Sequence, residues 1–322
     1  MISFTPRGLK AQTHDRLRDN GQNARQLVLI HSGLVVVLSL ITSGLNIYLD
    51  EQIGSTGGLG GLGTRSMLQT LQTMLQYGTS LFSPFWSAGF TMVTMIWASD
   101  RRPDQKDLLY GFRRFTSVLS YELLLGLMTF FLMMGTGYIS GLLFSLTPYS
   151  DALFELITPF VESGIIDLSQ IPMDQLLSAY TPFMLMWMAV FIPAIIIFLY
   201  NRRLSIYLIL DHPQMGALRA MATSTAFMRG RKRQLFKLDL SFWWYYLLEF
   251  ILVLVCYLDV ILPLLGVSLP FNATIGYFVF LALYGVLQLG LHLWKKAEIG
   301  VTYALAYQFI THPDHNEPAE EV

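Results

Sequence analysis

Cysteine occurs once in the 322 residues, as Cys256, so the chain forms no internal disulfide and no zinc site built on a cysteine cluster. Charge is scarce as well. Asp, Glu, Lys and Arg make up 13% of the residues, about half the ~25% of an average soluble domain, which argues against a water-soluble fold. Enzyme signatures are missing: there is no His-Glu-x-x-His, no Gly-x-Ser-x-Gly, no Walker lysine loop and no His/Asp cluster on one cytoplasmic face, and His312 and His315 of the tail make no metal site. A protein without catalytic, cofactor-binding or metal-ligating residues is expected, and nucleic acid is not an expected partner.

What is present is hydrophobic length. The chain is 53% hydrophobic, with mean hydropathy +0.49. A bilayer core about 30 Å thick needs roughly 20 apolar residues per helix. Windows of that quality fall near 27–49, 79–99, 115–146, 179–200, 240–265 and 275–294. The expected fold is an all-α membrane protein of six transmembrane helices.

Charge sign fixes the expected orientation. Twenty of the 21 Lys/Arg precede the first span or follow the second, fourth and sixth, and only Arg65 lies on the other side. The positive-inside rule then puts both termini in the cytoplasm of a cell membrane. Residues 1–26 read as a cytoplasmic arm, 27–311 as the membrane domain, and 312–322 as a disordered acidic tail.

Three further segments invite a motif reading. Gly58, Gly60 and Gly63 spell Gly-x-Gly-x-x-Gly, but no strand precedes them and no acid follows at the required distance, so a linker is expected. Gln69, Gln72, Thr73, Gln76, Ser80 and Ser83 form a polar stripe at helical spacing that ends at a bend at Pro84. That stripe suits a helix on the outer surface, or a cavity wall. Residues 147–178 hold five acids and no base; their spacing fits no calcium loop.

Asp211-His212-Pro213 starts an amphipathic cytoplasmic helix expected over 213–229, with Leu218, Met221, Thr225 and Met228 on one face and Gly230 as its stop. A basic cluster and an aromatic belt follow, running straight into the fifth span: Arg229, Arg231, Lys232, Arg233, Lys237, Trp243 and Trp244. These seven are the candidate contacts with lipid or a partner. Anionic lipid of the inner leaflet is the expected partner, since each nearby Lys/Arg adds about 1 kcal/mol of attraction. A protein partner or a second copy stays open beside it.

This segment resembles the domain of unknown function 975 family of bacterial integral membrane proteins. The resemblance rests on Ala217-Leu218, Ser224, Met228-Arg229-Gly230, Leu235-Phe236 and Leu240-Ser241-Phe242 with Trp243 and Trp244. The Gly-rich outer segment and LLYGFRRF at 108–115 are also similar. Arg229 replaces the family's usual Lys, and Pro263-Leu264 stands where the family has Pro-Tyr. The resemblance implies a polytopic membrane protein and carries no reaction or substrate.

Glu122, Glu249 and Asp259 lie within expected spans, where an acid at the centre costs about 2.5–3.5 kcal/mol. Glu249 is expected deepest, about 15 Å along a helix that starts at Asp239. It could couple transport with Gln288 or His292 of the sixth helix, or with His31 of the first. It could equally be a neutral packing residue bonded by Tyr245 or Tyr246. Gly137 and Gly141 form a small-xxx-small pair suited to close helix approach. Two functions follow: a non-enzymatic organiser of envelope, lipid or partners, and alternatively a transporter or exporter using an intramembrane acid.

Overall fold

The computed structural model describes residues 5–18, 20–55, 62–151, 154–155, 158, 173–258, 261–262, 266 and 273–312. Most of the acidic stretch 147–178, part of the glycine-rich segment, Asp259, Pro263-Leu264 and the tail beyond His312 lie outside them. Among the described residues the regular structure is all helical. The elements are α1 (Pro6–Arg18), α2 (Gly21–Ser55), α3 (Leu62–Ala98), α4 (Tyr110–Arg113), α5 (Phe115–Phe144) and α6 (Met173–Arg202). After these come α7 (Ser205–Asp211), α8 (Ala217–Phe227), α9 (Lys232–Leu240), α10 (Trp243–Cys256) and α11 (Ala273–Thr311).

Helices α2, α3 and α11 pack together as a trio, α10 lies against α11, and α5 and α6 form a hairpin that meets α3. The short helices gather at the end of the bundle that carries α1 and the end of α11. There α1 packs on α11 and α3, burying Leu9 and Thr13, so the N-terminal segment belongs to the packed body. Trp97, Tyr307, Phe242, Met221, Met228 and Leu235 are all fully buried at this terminal end.

Away from that end the long helices keep their apolar faces exposed. Four stretches are long and apolar enough to cross a membrane: Gly21–Ile53, Phe115–Phe144, Leu177–Asp211 and Ile275–Thr311. Only 0% to 28% of their apolar windows is buried by the protein itself. In hydrocarbon, packing apolar side chains against each other gains no hydrophobic free energy. Burying a large side chain away from water is worth about 1.5–3 kcal/mol, so a dense core at one end with bare apolar helices elsewhere is compatible with a membrane-embedded protein.

Two of the six expected spans differ from the rest. The expected span 79–99 falls in α3, where Ser80, Ser83, Ser87 and the threonines dilute the hydropathy below that of the other four. The expected span 240–265 begins at an elbow: α9, which precedes it, and α10 meet at 62° across Ser241-Phe242 and pass as a fifth span only if taken together. The polar stripe is part of α3 itself, which runs unbroken through Pro84. Gln72 there donates to Asp50 of α2 at 3.0 Å.

Close backbone approach uses glycines other than the expected pair. A Cβ on Gly89 would sit 1.8 Å from the Leu108 carbonyl oxygen, and one on Gly111 would sit 1.9 Å from that of Phe85. The LLYGFRRF segment is thereby pressed onto α3. Gly141 has nothing within 4 Å, and Gly137 meets only Trp187 Nε1 at 3.8 Å.

Candidate functional site

Asp239 is the one acid between Asp211 and Glu249, and α9 turns it inward. Its carboxylate accepts from the Tyr200 hydroxyl, from Arg203 through both Nη atoms, one at 2.7 Å, and from the Tyr303 hydroxyl at 2.5 Å. The Arg203 guanidinium also lies over the Tyr303 ring, 4.5 Å from its centre. A two-pronged Arg–carboxylate pair is among the stronger charge-assisted contacts. Here it binds the end of α6 and the last quarter of α11 to α9, immediately before the elbow.

The elbow is held from the other side by α1. Lys10 Nζ donates to the Ser241 carbonyl at 2.8 Å and sits over the Phe242 ring at 3.8 Å. Burial holds the Lys10 ammonium below its ordinary range; Glu298 opposes that shift and Lys295 adds to it. Arg231 Nη1 donates to the Ile310 carbonyl at 2.5 Å, tying the start of α9 to the end of α11.

These anchors fix which side of α9 faces out. Leu235 and Leu238 are buried and Asp239 points inward, so Arg233, Phe236, Lys237 and Leu240, spaced i, i+3, i+4 and i+7, share the outer face. All four are exposed, and Trp243 continues the surface past the elbow. Phe236 and Leu240 are each 57% exposed and Trp243 is 58% exposed. Arg229 is exposed too, and Lys232 is half-buried. Trp244 instead packs on Trp294, with ring centres 5.2 Å apart.

The basic cluster is therefore two things. Arg231 is structural. Arg229, Arg233 and Lys237 form no ion pair among the described residues, so their charge is available to a partner. The expected helix over 213–229 is α8, shorter at both ends, because Pro213 lies in the turn before it and Gly216 is its N-cap. Its packed face is Ala217, Ala220, Met221, Ser224 and Met228, while Leu218 is exposed. Ser224 Oγ donates to the Asn201 carbonyl at 2.8 Å and accepts from Leu204 N at 3.2 Å, bridging the break between α6 and α7. Gly230, with φ +77°, supplies the left-handed turn between α8 and α9.

Glu249 belongs to a second polar group. Its carboxylate accepts from the Tyr245 hydroxyl at 2.6 Å and lies 3.4 Å from His292 Nε2. His292 Nδ1 is 2.9 Å from Ser32 Oγ of α2. Lys296 Nζ lies 3.5 Å from His292 Nδ1 and 3.3 Å from His31 Nδ1. The His31 ring rests against Phe90 and Trp86 with its Nε2 buried and unpartnered. Gln288 is half-buried one helical turn before His292.

The elbow shortens the run of helix that leads to this group. Counted along α10 from Trp243, Glu249 lies about 9 Å along at 1.5 Å per residue, against roughly 15 Å expected from Asp239, because α9 runs off at an angle. Lys296 was expected in a loop after the sixth span. It stands inside α11, 39 residues long, whose helical pattern continues for four turns after the hydropathy falls. The spacing from His292 to Lys296, i to i+4, was the available signal for it. Asp239 and Tyr303 carried no such signal, since Asp239 lies 36 residues from Arg203 and 64 from Tyr303.

Neither the curated proteins nor the solved structures contain a match to this chain. A family model described as "Protein of unknown function (DUF975)" matches residues 5–311, so it takes in α1, the terminal core, the elbow and both polar groups. The chain belongs to the DUF975 family of proteins of unknown function.

Proposed function

We propose that this is a non-enzymatic, multi-pass protein of the cell membrane that engages anionic lipid of the inner leaflet through the outer face of α9 and the start of α10. Six crossings carry it: α2, the second half of α3, α5, α6, the expected span 240–265 that begins at the elbow and leaves α9 at the surface, and α11. Both termini are cytoplasmic, which leaves the dense terminal core in water and the bare helices in lipid. The observation that carries the reading is the clamped elbow. Asp239, Lys10 and Arg231 hold α9 at 62° to α10, so apolar Phe236 and Leu240 and basic Arg233 and Lys237 share one exposed face. An apolar sector beside a basic one suits the boundary between headgroup and acyl chain.

The test is lipid selectivity. The full chain, reconstituted in phosphatidylcholine vesicles, is probed with spin-labelled phosphatidylglycerol and phosphatidylcholine, for the wild type and for Arg229→Gln/Arg233→Gln/Lys237→Gln. At about 1 kcal/mol per charge, the triple variant should lose several-fold of its preference for the anionic label. Unchanged selectivity sinks the proposal.

The Glu249, His292, Lys296 and His31 group supports a second reading, coupled transport. Against it, a cleft that Ser83 of the α3 stripe lines, with Ser39, Thr42, Ser43 and Thr79, measures about 260 Å³ and does not reach Glu249. On the organiser reading Glu249→Gln leaves lipid selectivity unchanged and lowers stability by under about 1 kcal/mol, the usual scale for a side-chain hydrogen bond between membrane helices. Solute uptake by proteoliposomes that this substitution abolishes would favour transport instead.

A further inference from the structure

A cleft of about 500 Å³ lies between the α5–α6 hairpin and the α9–α10 elbow, apart from the outer face of α9. Leu125 and Leu199 make its apolar wall; Arg202, Arg203, Asp239 and Tyr246 make its polar end. Arg203 and Asp239 neutralise each other. Arg202 has no such partner. Its Nη1 donates to the Met221 carbonyl at 2.9 Å and to Thr225 Oγ1 at 3.1 Å, its Nη2 faces Met128 Sδ at 3.8 Å, and its Nε is buried without an acceptor. Every one of these partners is neutral, and Arg202 forms no ion pair among the described residues.

A half-buried guanidinium without a counter-charge is costly unless an anion completes it. The shape of the cleft says where that anion comes from. In the described residues α5 packs on α6 and α10 on α11, with no comparable packing of α6 against α10. The cleft therefore opens sideways between helices, at the depth where α6 ends and α10 begins. A free phosphate would leave the Leu125 and Leu199 wall unexplained, whereas a phospholipid fills both parts.

We infer that this cleft binds one anionic phospholipid, its phosphate on Arg202 and an acyl chain along Leu125 and Leu199. The inference rests on the lipid-engaging reading above but concerns a separate, slowly exchanging lipid. The experiment is native mass spectrometry of the full chain released from nanodiscs of mixed phosphatidylcholine and phosphatidylglycerol. Wild type should retain one phosphatidylglycerol through collisional activation that strips the others. Arg202→Gln should lower that occupancy roughly tenfold, the loss of about 1.4 kcal/mol, and Arg229→Gln/Arg233→Gln/Lys237→Gln should keep it. Leu199→Trp, which fills the cleft from an exposed position and leaves Arg202 in place, should also lose the lipid and covers the case in which Arg202→Gln fails to fold. Equal retention by wild type and Leu199→Trp would overturn the inference, even if the triple variant lost its selectivity in vesicles. So would occupancy by added inorganic phosphate with no lipid bound. Loss of vesicle selectivity failing while the single lipid behaves as described would sink the outer-face reading alone.

Discussion

Asp239 shows how much one carboxylate can decide. Four donors on three side chains converge on it, and its side chain and that of Arg203 are 18% and 28% exposed. Removing one partner of so shielded a pair strands the other charge. Asp239→Asn is expected to lower unfolding stability by about 3 kcal/mol, read as a fall in thermal midpoint in detergent. Combined with Arg203→Gln it should cost clearly less than the two single changes added together, since neither charge is then left alone. Additive losses would show that the pair is not coupled. None of this was legible in sequence, where Asp239 is a lone acid in a basic stretch and Arg203 lies 36 residues away. Glu249 with His292 was legible, because an acid and a histidine in neighbouring apolar runs stand out by rarity.

Among the elements, the elbow between α9 and α10 and the contact of α4 with α3 define the terminal end. The span expected over 240–265 starts within two residues of the turn at Ser241-Phe242, so composition placed the boundary without showing that α9 leaves it at an angle. The turn is fixed by contacts from α1, α6 and α11, which are tertiary. The residues behind the family resemblance become intelligible at this level: Ser224 bridges a helix break, Gly230 turns left-handed, Leu235 and Phe242 are buried, and Gly111 touches backbone. Gly89→Ala and Gly111→Ala each force a Cβ to within 2 Å of a carbonyl oxygen, and each should cost more than 2 kcal/mol as overpacking with backbone shift. Gly141→Ala, in open space, should be neutral or gain about 1 kcal/mol from helix propensity. Thermal unfolding of the three variants compares them directly. Equal loss in all three would remove the distinction.

For the whole molecule, the distribution of exposed apolar surface and of basic residues is the evidence. Apolar length could be read from composition because the bilayer demands it of any span. Helix ends could not, because α11 outruns a bilayer core: at 1.5 Å per residue its 39 residues reach about 58 Å. Its second half is enclosed by the terminal core: no residue from Lys295 to Thr311 is exposed, and Ile299, Ala304, Tyr307 and Ile310 are buried. The proposed topology puts that core in the cytoplasm. In a Cys256→Ser background, a cysteine at Gln76 should react with an impermeant maleimide on intact cells, and cysteines at His14 or Gln214 only after permeabilisation. Labelling of His14 and Gln76 from the same side would refute the topology.

The central claim is that α9 lies at the membrane surface with its outer face in the lipid boundary. Spin labels placed singly at Arg233, Phe236, Lys237 and Leu240, in vesicles containing phosphatidylglycerol, report on it through relaxation by oxygen and by an aqueous nickel complex. At the interface, labels at Phe236 and Leu240 favour oxygen, while those at Arg233 and Lys237 favour the nickel complex. Four labels that all respond as in bulk water would contradict the claim.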